Sequence, residues 1–109
     1  MSSSSTAQAD GLKARVEFDQ NAKLGPAVIT VYVLDNNKAV SGASVEVTGD
    51  MTHAGMVPVI SEALETETGL YKTKDFEFTM AGDWILTTVI KTDDGKKLTV
   101  EDRLTVKGK

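Results

Sequence analysis

Alternation of apolar and polar residues with a period of two is the feature that most limits how this chain folds. In the first such run, charged residues separate four apolar ones, Leu12, Ala14, Val16 and Phe18. A second run, AVITVYVLD, is rich in β-branched residues and places Ile29, Val31 and Val33 on one face. Side chains alternate between the two faces of a strand, so both runs predict strands that bury one face in a core.

Turn residues separate the strand-like runs. Residues 35–42, DNNKAVSG, combine Asp, Asn and Gly, and a second turn is predicted near Glu67 to Gly69. Asp94-Gly95 is a hairpin signal, which predicts that residues 92–96 connect two antiparallel strands. Turns this frequent leave room for short strands only.

The remaining runs complete an all-β pattern. We expect strands over 58–65 and 70–80, and a later strand with one apolar face formed by Trp84, Leu86, Thr88 and Ile90. In the last run the apolar residues are predicted to change face at a bulge or break near Glu101 and Asp102. About seven short strands and no helix predict an immunoglobulin-like antiparallel β-sandwich.

Length and composition indicate one domain. A chain of 109 residues with 40% hydrophobic and 26% charged residues has the balance of a single globular core. The Ser-rich residues 1–11 are predicted to be a flexible leader, and residues 12–109 the sandwich domain. We expect a natural export signal or anchor to lie outside the given sequence, since this start has neither a basic nor an apolar segment.

Charge and cysteine content exclude several classes of function. A net charge of −4 and a sequence pI near 4.9 offer no basic surface for nucleic acid, so we expect no such partner. The chain has no cysteine, which excludes disulfides, thiolate metal sites and cysteine nucleophiles. No apolar run approaches the roughly 20 residues of a membrane-spanning helix.

Catalytic chemistry is not indicated. With one histidine and no cysteine, the sequence has no residues for a catalytic triad. Its acidic residues are predicted to be solvent-facing positions of strands and not a catalytic carboxylate pair, namely Glu62, Glu65, Glu67, Asp75 and Glu77. We therefore expect a protein that is not an enzyme.

Soft metal donors are concentrated in one stretch. The segment DMTHAGMVPV contains Met51, His53 and Met56, and the chain's other internal methionine is Met80. Neutral thioether sulfur favours Cu(I) over harder divalent ions, and neutral imidazole accepts most transition metals. If the 70–80 strand pairs about a turn centred on Thr68, Met80 lies opposite Met56. The four residues together predict a Cu(I) site.

Other roles for the same residues remain open. Met80 follows Phe76 and Phe78 and could be a core residue in sulfur–aromatic contact. A lone loop histidine is commonly solvent-facing, and Met51 and Met56 could form a hydrophobic flap over the end of the sandwich. Phe78 and Trp84 are best interpreted as core residues, although they could also exclude water from a metal site.

Four stretches resemble the YtkA-like domains, which are small extracytoplasmic β-sandwiches of bacteria. They are GASVEVTGDM, the loop MTHAGMVPV, the GLY at 69–71 and FTMAGDW at 78–84, and the resemblance covers about residues 26–107. It implies an exported or membrane-tethered domain associated with copper handling, oxidase assembly or heavy-metal efflux. Met51, His53 and Met56 match the family's Met/His loop, and Met80 matches the methionine of the later motif.

Two hypotheses follow from the sequence. The first is a copper-binding domain of the periplasm or cell envelope that holds Cu(I) through the Met/His loop and exchanges it with a partner protein. The second is a non-catalytic interaction module of a larger envelope assembly, with residues 50–59 as an apolar contact patch. Replacing methionine by leucine distinguishes them, because leucine keeps the apolar bulk and removes the donor.

Overall fold

The computed structural model describes residues 2–19, 22–51 and 57–108. This part of the chain contains strands and no helix. The strands, in chain order, are β1 (Ser2–Ala9), β2 (Leu12–Asp19), β3 (Gly25–Pro26), β4 (Thr30–Asp35), β5 (Lys38–Ala39), β6 (Ser44–Met51), β7 (Val59–Glu67), β8 (Leu70–Thr73), β9 (Glu77–Phe78), β10 (Gly82–Lys91) and β11 (Lys97–Val106). Among the described residues there is thus no helix long and apolar enough to cross a membrane.

One antiparallel sheet contains most of the strands. Its order is β1-β2-β4-β8-β7-β6-β10-β11, with β5 on the edge of β4, while β3 and β9 form a separate pair. The sheet curls until β1 approaches β11, and no ladder joins these two strands within the described ranges. The result is a sandwich close to a closed barrel, which confirms the predicted fold class. The strand count exceeds the prediction because β1 and three two-residue strands were not expected.

The inward faces of the long strands supply the core. Two faces predicted from the sequence are buried, one formed by Ile29, Val31 and Val33 and the other by Trp84, Leu86, Thr88 and Ile90. In β2 the alternation is equally regular, and its four apolar side chains are all buried. Burial of these faces removes apolar surface from water and holds the sheet in its curled form.

The N-terminal segment differs from the predicted flexible leader. Ser2–Ala9 pairs with β2 along its whole length, and the connecting turn has positive φ at Asp10 and Gly11. The ladder uses backbone groups, which every non-proline residue carries whatever its side chain. Composition alone therefore did not show that this Ser-rich segment covers an edge of the sheet.

Strand β11 has no bulge or break near Glu101 and Asp102, so that prediction was wrong. Its ladder with β10 is continuous from Lys97 opposite Lys91 to Val106 opposite Gly82. Asp102 occupies an inward position and is only 8% exposed. A buried carboxylate interrupts the apolar pattern there, and the register of the strand is unchanged.

The predicted turns are confirmed and define one end of the sandwich, here called the turn end. In the β10–β11 hairpin, the Thr92 N–H donates to the Lys96 carbonyl at 3.0 Å, and Gly95 has a φ of 90°. The Lys96 ammonium donates to both carboxylate oxygens of Asp35 at 2.9 Å, which ties this hairpin to the end of β4. The opposite end, where β6 finishes and β10 begins, carries the described methionines and is called the methionine end.

Candidate metal-binding site

Two of the four predicted ligands lie at the methionine end. Met51 is the last residue of β6, and Met80 lies in the bend that leads into β10. His53 and Met56 fall within 52–56, outside the described residues. The described part of the predicted site therefore consists of two thioethers.

Met51 closes the inward face of β6. Its side chain is partly buried and packs against the core, and its backbone N–H donates to Asp50 Oδ1 at 2.8 Å. The terminal methyl group lies against Gly82, where an added Cβ would approach it to 2.6 Å. Gly82 also has a φ of 136°, which disfavours a side chain. The glycine thus provides the space that the Met51 thioether occupies.

Met80 has the opposite environment. Its side chain is 51% exposed, so it is not the core residue that the sequence left as an alternative. Its backbone is held instead, because the Trp84 indole N–H donates to the Met80 carbonyl at 2.9 Å. The backbone at residue 80 is fixed to the core while the thioether faces solvent.

Trp84 places both methionines at the same end. It is Met51's partner in the β6–β10 ladder and the hydrogen-bond donor to Met80. Cross-strand partners have Cβ atoms about 5 Å apart. Trp84 therefore links the two residues, through its backbone ladder to Met51 and through its indole to Met80.

The route by which Met80 reaches this end differs from the predicted one. The β7–β8 hairpin is centred on Thr68 as expected, with Ala63 opposite Thr73. Pairing with β7 then stops, residues 74 and 75 form a bend, and Phe78 pairs with Gly25 in the small second sheet. The predicted strand over 70–80 was therefore wrong. Met80 is placed by the start of β10, not by extension of the hairpin.

An aromatic cluster supports the methionine end. The rings of Phe76 and Phe78 meet edge to face at 5.1 Å, and those of Phe78 and Trp84 at 5.2 Å. All three are at most 2% exposed, which confirms that Phe78 and Trp84 are core residues. The cluster packs against backbone at Gly49, where an added Cβ would lie 2.6 Å from Phe76. Close ring packing of this kind limits movement of the strand ends beneath the two methionines.

Acidic residues contribute no alternative metal centre. Within the described ranges, no three His, Asp or Glu side chains converge as a metal site requires. The five carboxylates predicted to face solvent are all exposed. Glu65 accepts hydrogen bonds from the Gly42 N–H at 3.0 Å and the Ser41 hydroxyl at 3.1 Å, which hold the pKa of Glu65 below its ordinary value. This carboxylate stabilises a turn.

Sequence reasoning missed the part that Gly82 plays. The signal was the spacing within FTMAGDW, where a glycine stands between the methionine and the tryptophan. A glycine at the start of a strand often marks close approach of another group. The group that approaches here is Met51, from a strand distant in sequence, so the contact follows from the β6–β10 pairing.

One comparison with known proteins bears on the family of this chain and another on its fold. The sequence profile of the YtkA-like family matches residues 6–89. CopC from Methylosinus trichosporium OB3b has a similar crystal structure, with a TM-score of 0.56 and 11% sequence identity over 97% of this chain and 95% of that one. At that identity the likeness concerns the fold alone. No curated protein sequence matches the chain.

Proposed function

The chain belongs to the YtkA-like family, and on that premise we propose that it is an extracytoplasmic, non-enzymatic domain that binds Cu(I) and exchanges it with a partner protein. The proposed ligands are Met51, His53, Met56 and Met80. The observation that carries the proposal is the placement of Met51 and Met80 on the same end of the sandwich through Trp84. The copper association implied by the family resemblance points the same way.

The two described thioethers suit different steps of metal exchange. Met51 is partly buried and wedged against Gly82, so its position is held by the fold. Met80 is half exposed on a fixed backbone, so its sulfur is accessible to an incoming acceptor. Neutral thioethers need no deprotonation and favour a soft monovalent ion. Copper can then pass to a partner by replacement of one donor at a time.

Chain connectivity supports the participation of His53. His53 follows Met51 by two positions in the sequence. Imidazole is also the one proposed donor that titrates near neutral pH. Copper affinity should therefore weaken as the pH falls below about 6.5, the ordinary pKa of histidine.

The test is an anaerobic titration in which the domain competes with a chromogenic Cu(I) chelator. We expect one copper per chain, with affinity reduced about tenfold or more in Met51→Leu and in Met80→Leu, since even residues that only orient ligands change metal affinity by about 10- to 100-fold. Leu24→Ala is the matched control, because Leu24 is an exposed apolar residue without a donor atom. Equal affinity in all four proteins would contradict the proposal.

The pH dependence gives a separate prediction for His53. In the native domain the apparent affinity should fall between pH 7 and 5.5, and in His53→Ala it should be lower at pH 7 and nearly constant over that range. The same competition titration at several pH values measures this. An identical pH profile in both proteins would exclude His53 as a ligand.

An interaction module is the second candidate, favoured by exposed apolar side chains at the methionine end. Val57 is 85% exposed. Leu24 is 43% exposed, and both Leu24 and Ala81 lie beside Gly108. If this end serves only as a protein contact, Met80→Leu should leave partner binding intact and Met80→Asp should weaken it. The copper proposal expects Met80→Leu to bind copper about tenfold more weakly, so a copper titration and a partner-binding assay on this one variant separate the two candidates.

A further inference from the structure

A groove crosses the outer face of the sheet near the turn end, away from the methionines. Ladder partners bring one row of side chains into line across four strands, namely Thr6, Arg15, Tyr32 and Leu70. A second row contains Lys13, Leu34 and Ala39. Partners in a ladder point to the same side of a sheet, so the two rows form one continuous floor.

The β7–β8 turn forms a wall of this groove. Gly69 packs so closely on β5 that an added Cβ would lie 2.7 Å from the Cβ of Ala39, and its carbonyl accepts the Val33 N–H at 2.8 Å. The wall is thus fixed to the strands beneath it. The groove is open to solvent and has a volume of about 590 Å³. That volume is within the range of small-molecule sites, about 300 to 1,000 Å³.

Charge is distributed unevenly along the groove. Lys13 and Arg15 line one side, although the chain as a whole has a net charge of −4. Arg15 lies 5.7 Å from the centre of the Tyr32 ring and also pairs with Glu17 at 2.6 Å. A guanidinium has five N–H donors, so one carboxylate does not satisfy it. Lys13 makes no ion pair with any described residue.

The apolar side of the groove has a complementary character. Tyr32 is 38% exposed, and Leu34, Ala39 and Leu70 are near it on the floor. Glu67 is the one carboxylate among the described lining residues, and the β7–β8 turn that carries it forms the wall across the floor from Lys13 and Arg15. A ligand's negative group would be repelled at Glu67 and attracted at the two cations.

We propose that this groove binds a small amphipathic anion, an apolar ring or chain that ends in a carboxylate or sulfonate. The apolar part lies over Tyr32 and Leu34, and the anionic group lies between Lys13 and Arg15. Charge-assisted hydrogen bonds from these cations orient the ligand. The site is independent of copper, since none of its lining residues belongs to the methionine end.

The first test uses 8-anilinonaphthalene-1-sulfonate, whose fluorescence rises when its rings leave water. We expect saturable binding of one dye per chain, displaced by 3-phenylpropanoate and not by the neutral 3-phenylpropanol. Lys13→Gln/Arg15→Gln should weaken binding about tenfold, as two partly exposed ion pairs together predict. Displacement by the alcohol as well as by the acid would overturn the requirement for an anion.

Control variants separate this groove from general surface binding. Lys72→Gln/Lys74→Gln removes two exposed cations outside the groove and should leave dye affinity unchanged. Lys74 lies beside exposed Ile60 and Leu64, so this variant also tests whether the dye binds at another apolar surface with a nearby cation. Tyr32→Ser should weaken binding without changing the net charge. Thermal unfolding of each variant reports whether it is folded. If the native chain binds no dye, or the two double variants bind it alike, the proposal is wrong.

Discussion

Gly49 lies where the aromatic cluster meets the backbone of β6. An added Cβ would lie 2.6 Å from Phe76 and 3.1 Å from Trp84, and both rings are buried. We expect Gly49→Ala to lower the free energy of unfolding by about 1 to 3 kcal/mol, the usual cost of overpacking a core. Urea unfolding followed by Trp84 fluorescence measures the change.

Thr48→Ala is the matched control for Gly49→Ala. Thr48 is the preceding residue of the same strand and points to the other face of the sheet, so its truncation should cost less than about 0.5 kcal/mol. If Gly49→Ala is as stable as Thr48→Ala, the rings do not pack on this backbone as described.

At single positions, the sequence predicted chemistry better than environment. The donor atoms of Met51 and Met80 follow from residue type, so a soft-metal hypothesis was available without a structure. The burial of these two side chains could not be predicted in the same way, because Met51 packs against Gly82 and Met80 lies exposed in a bend. Both conditions depend on strands that pair far apart in sequence, and residue type contains no information about that pairing.

At the scale of elements, Tyr71 connects β8 to the segment between β5 and β6. Its hydroxyl donates to the Val40 carbonyl at 2.7 Å and accepts the Ala43 N–H at 3.0 Å. Tyr71→Phe removes the partner of both partly buried backbone groups, so we expect a loss of about 1 to 3 kcal/mol in the free energy of unfolding. Chemical denaturation measures it.

Tyr32→Phe provides the comparison. Tyr32 lies on the exposed face of neighbouring β4, and its hydroxyl makes no hydrogen bond to any described residue. Its loss should change stability by less than about 0.5 kcal/mol. Equal losses in the two variants would show that the Tyr71 hydroxyl does not stabilise the connection.

Elements with local signals were predicted, and those fixed by distant partners were not. Asp94-Gly95 specifies its hairpin through turn geometry that two residues supply. The break between β8 and β9 has no such signal, since Phe78 leaves the first sheet to pair with Gly25. Strand β1 likewise depends on the free edge of β2 and not on its own Ser-rich composition.

In the molecule as a whole, curling of the sheet brings β1 close to β11 and buries polar groups where the two strands meet. Asp102 faces inward on β11 near β1, and neither its Oδ2 atom nor the Ser5 hydroxyl has a hydrogen-bond partner among the described residues. Burial raises the pKa of Asp102 above its ordinary value of 3.8, and the charge of Glu101 adds to this. An ionised Asp102 therefore weakens the closed sheet.

This predicts how stability varies with pH. Between pH 3.8 and its raised folded pKa, Asp102 keeps a proton in the folded chain that it has lost in the unfolded chain, so its contribution to stability falls as pH rises through this range. Asp102→Asn should be more stable than the native chain at pH 7, by about 1 kcal/mol, with the difference shrinking toward pH 4. Thermal unfolding across this range measures it.

Glu101→Gln is the control for Asp102→Asn, because Glu101 is the exposed neighbour on the same strand. Its effect should be small, since it changes only a screened surface charge. A native chain more stable than Asp102→Asn at pH 7 would show that the carboxylate is satisfied in its ionised form and that the pKa direction is incorrect.

The pairing of β6 with β10 also bears on the order in which parts of the molecule fold. These strands adjoin in the sheet, yet β7, β8 and β9 separate them along the chain. Such non-local pairing forms slowly, because loop-closure entropy is lost before the contacts are gained. Met51 meets Trp84 only when this ladder closes. We therefore expect the methionine end to form late in folding, after the local hairpins.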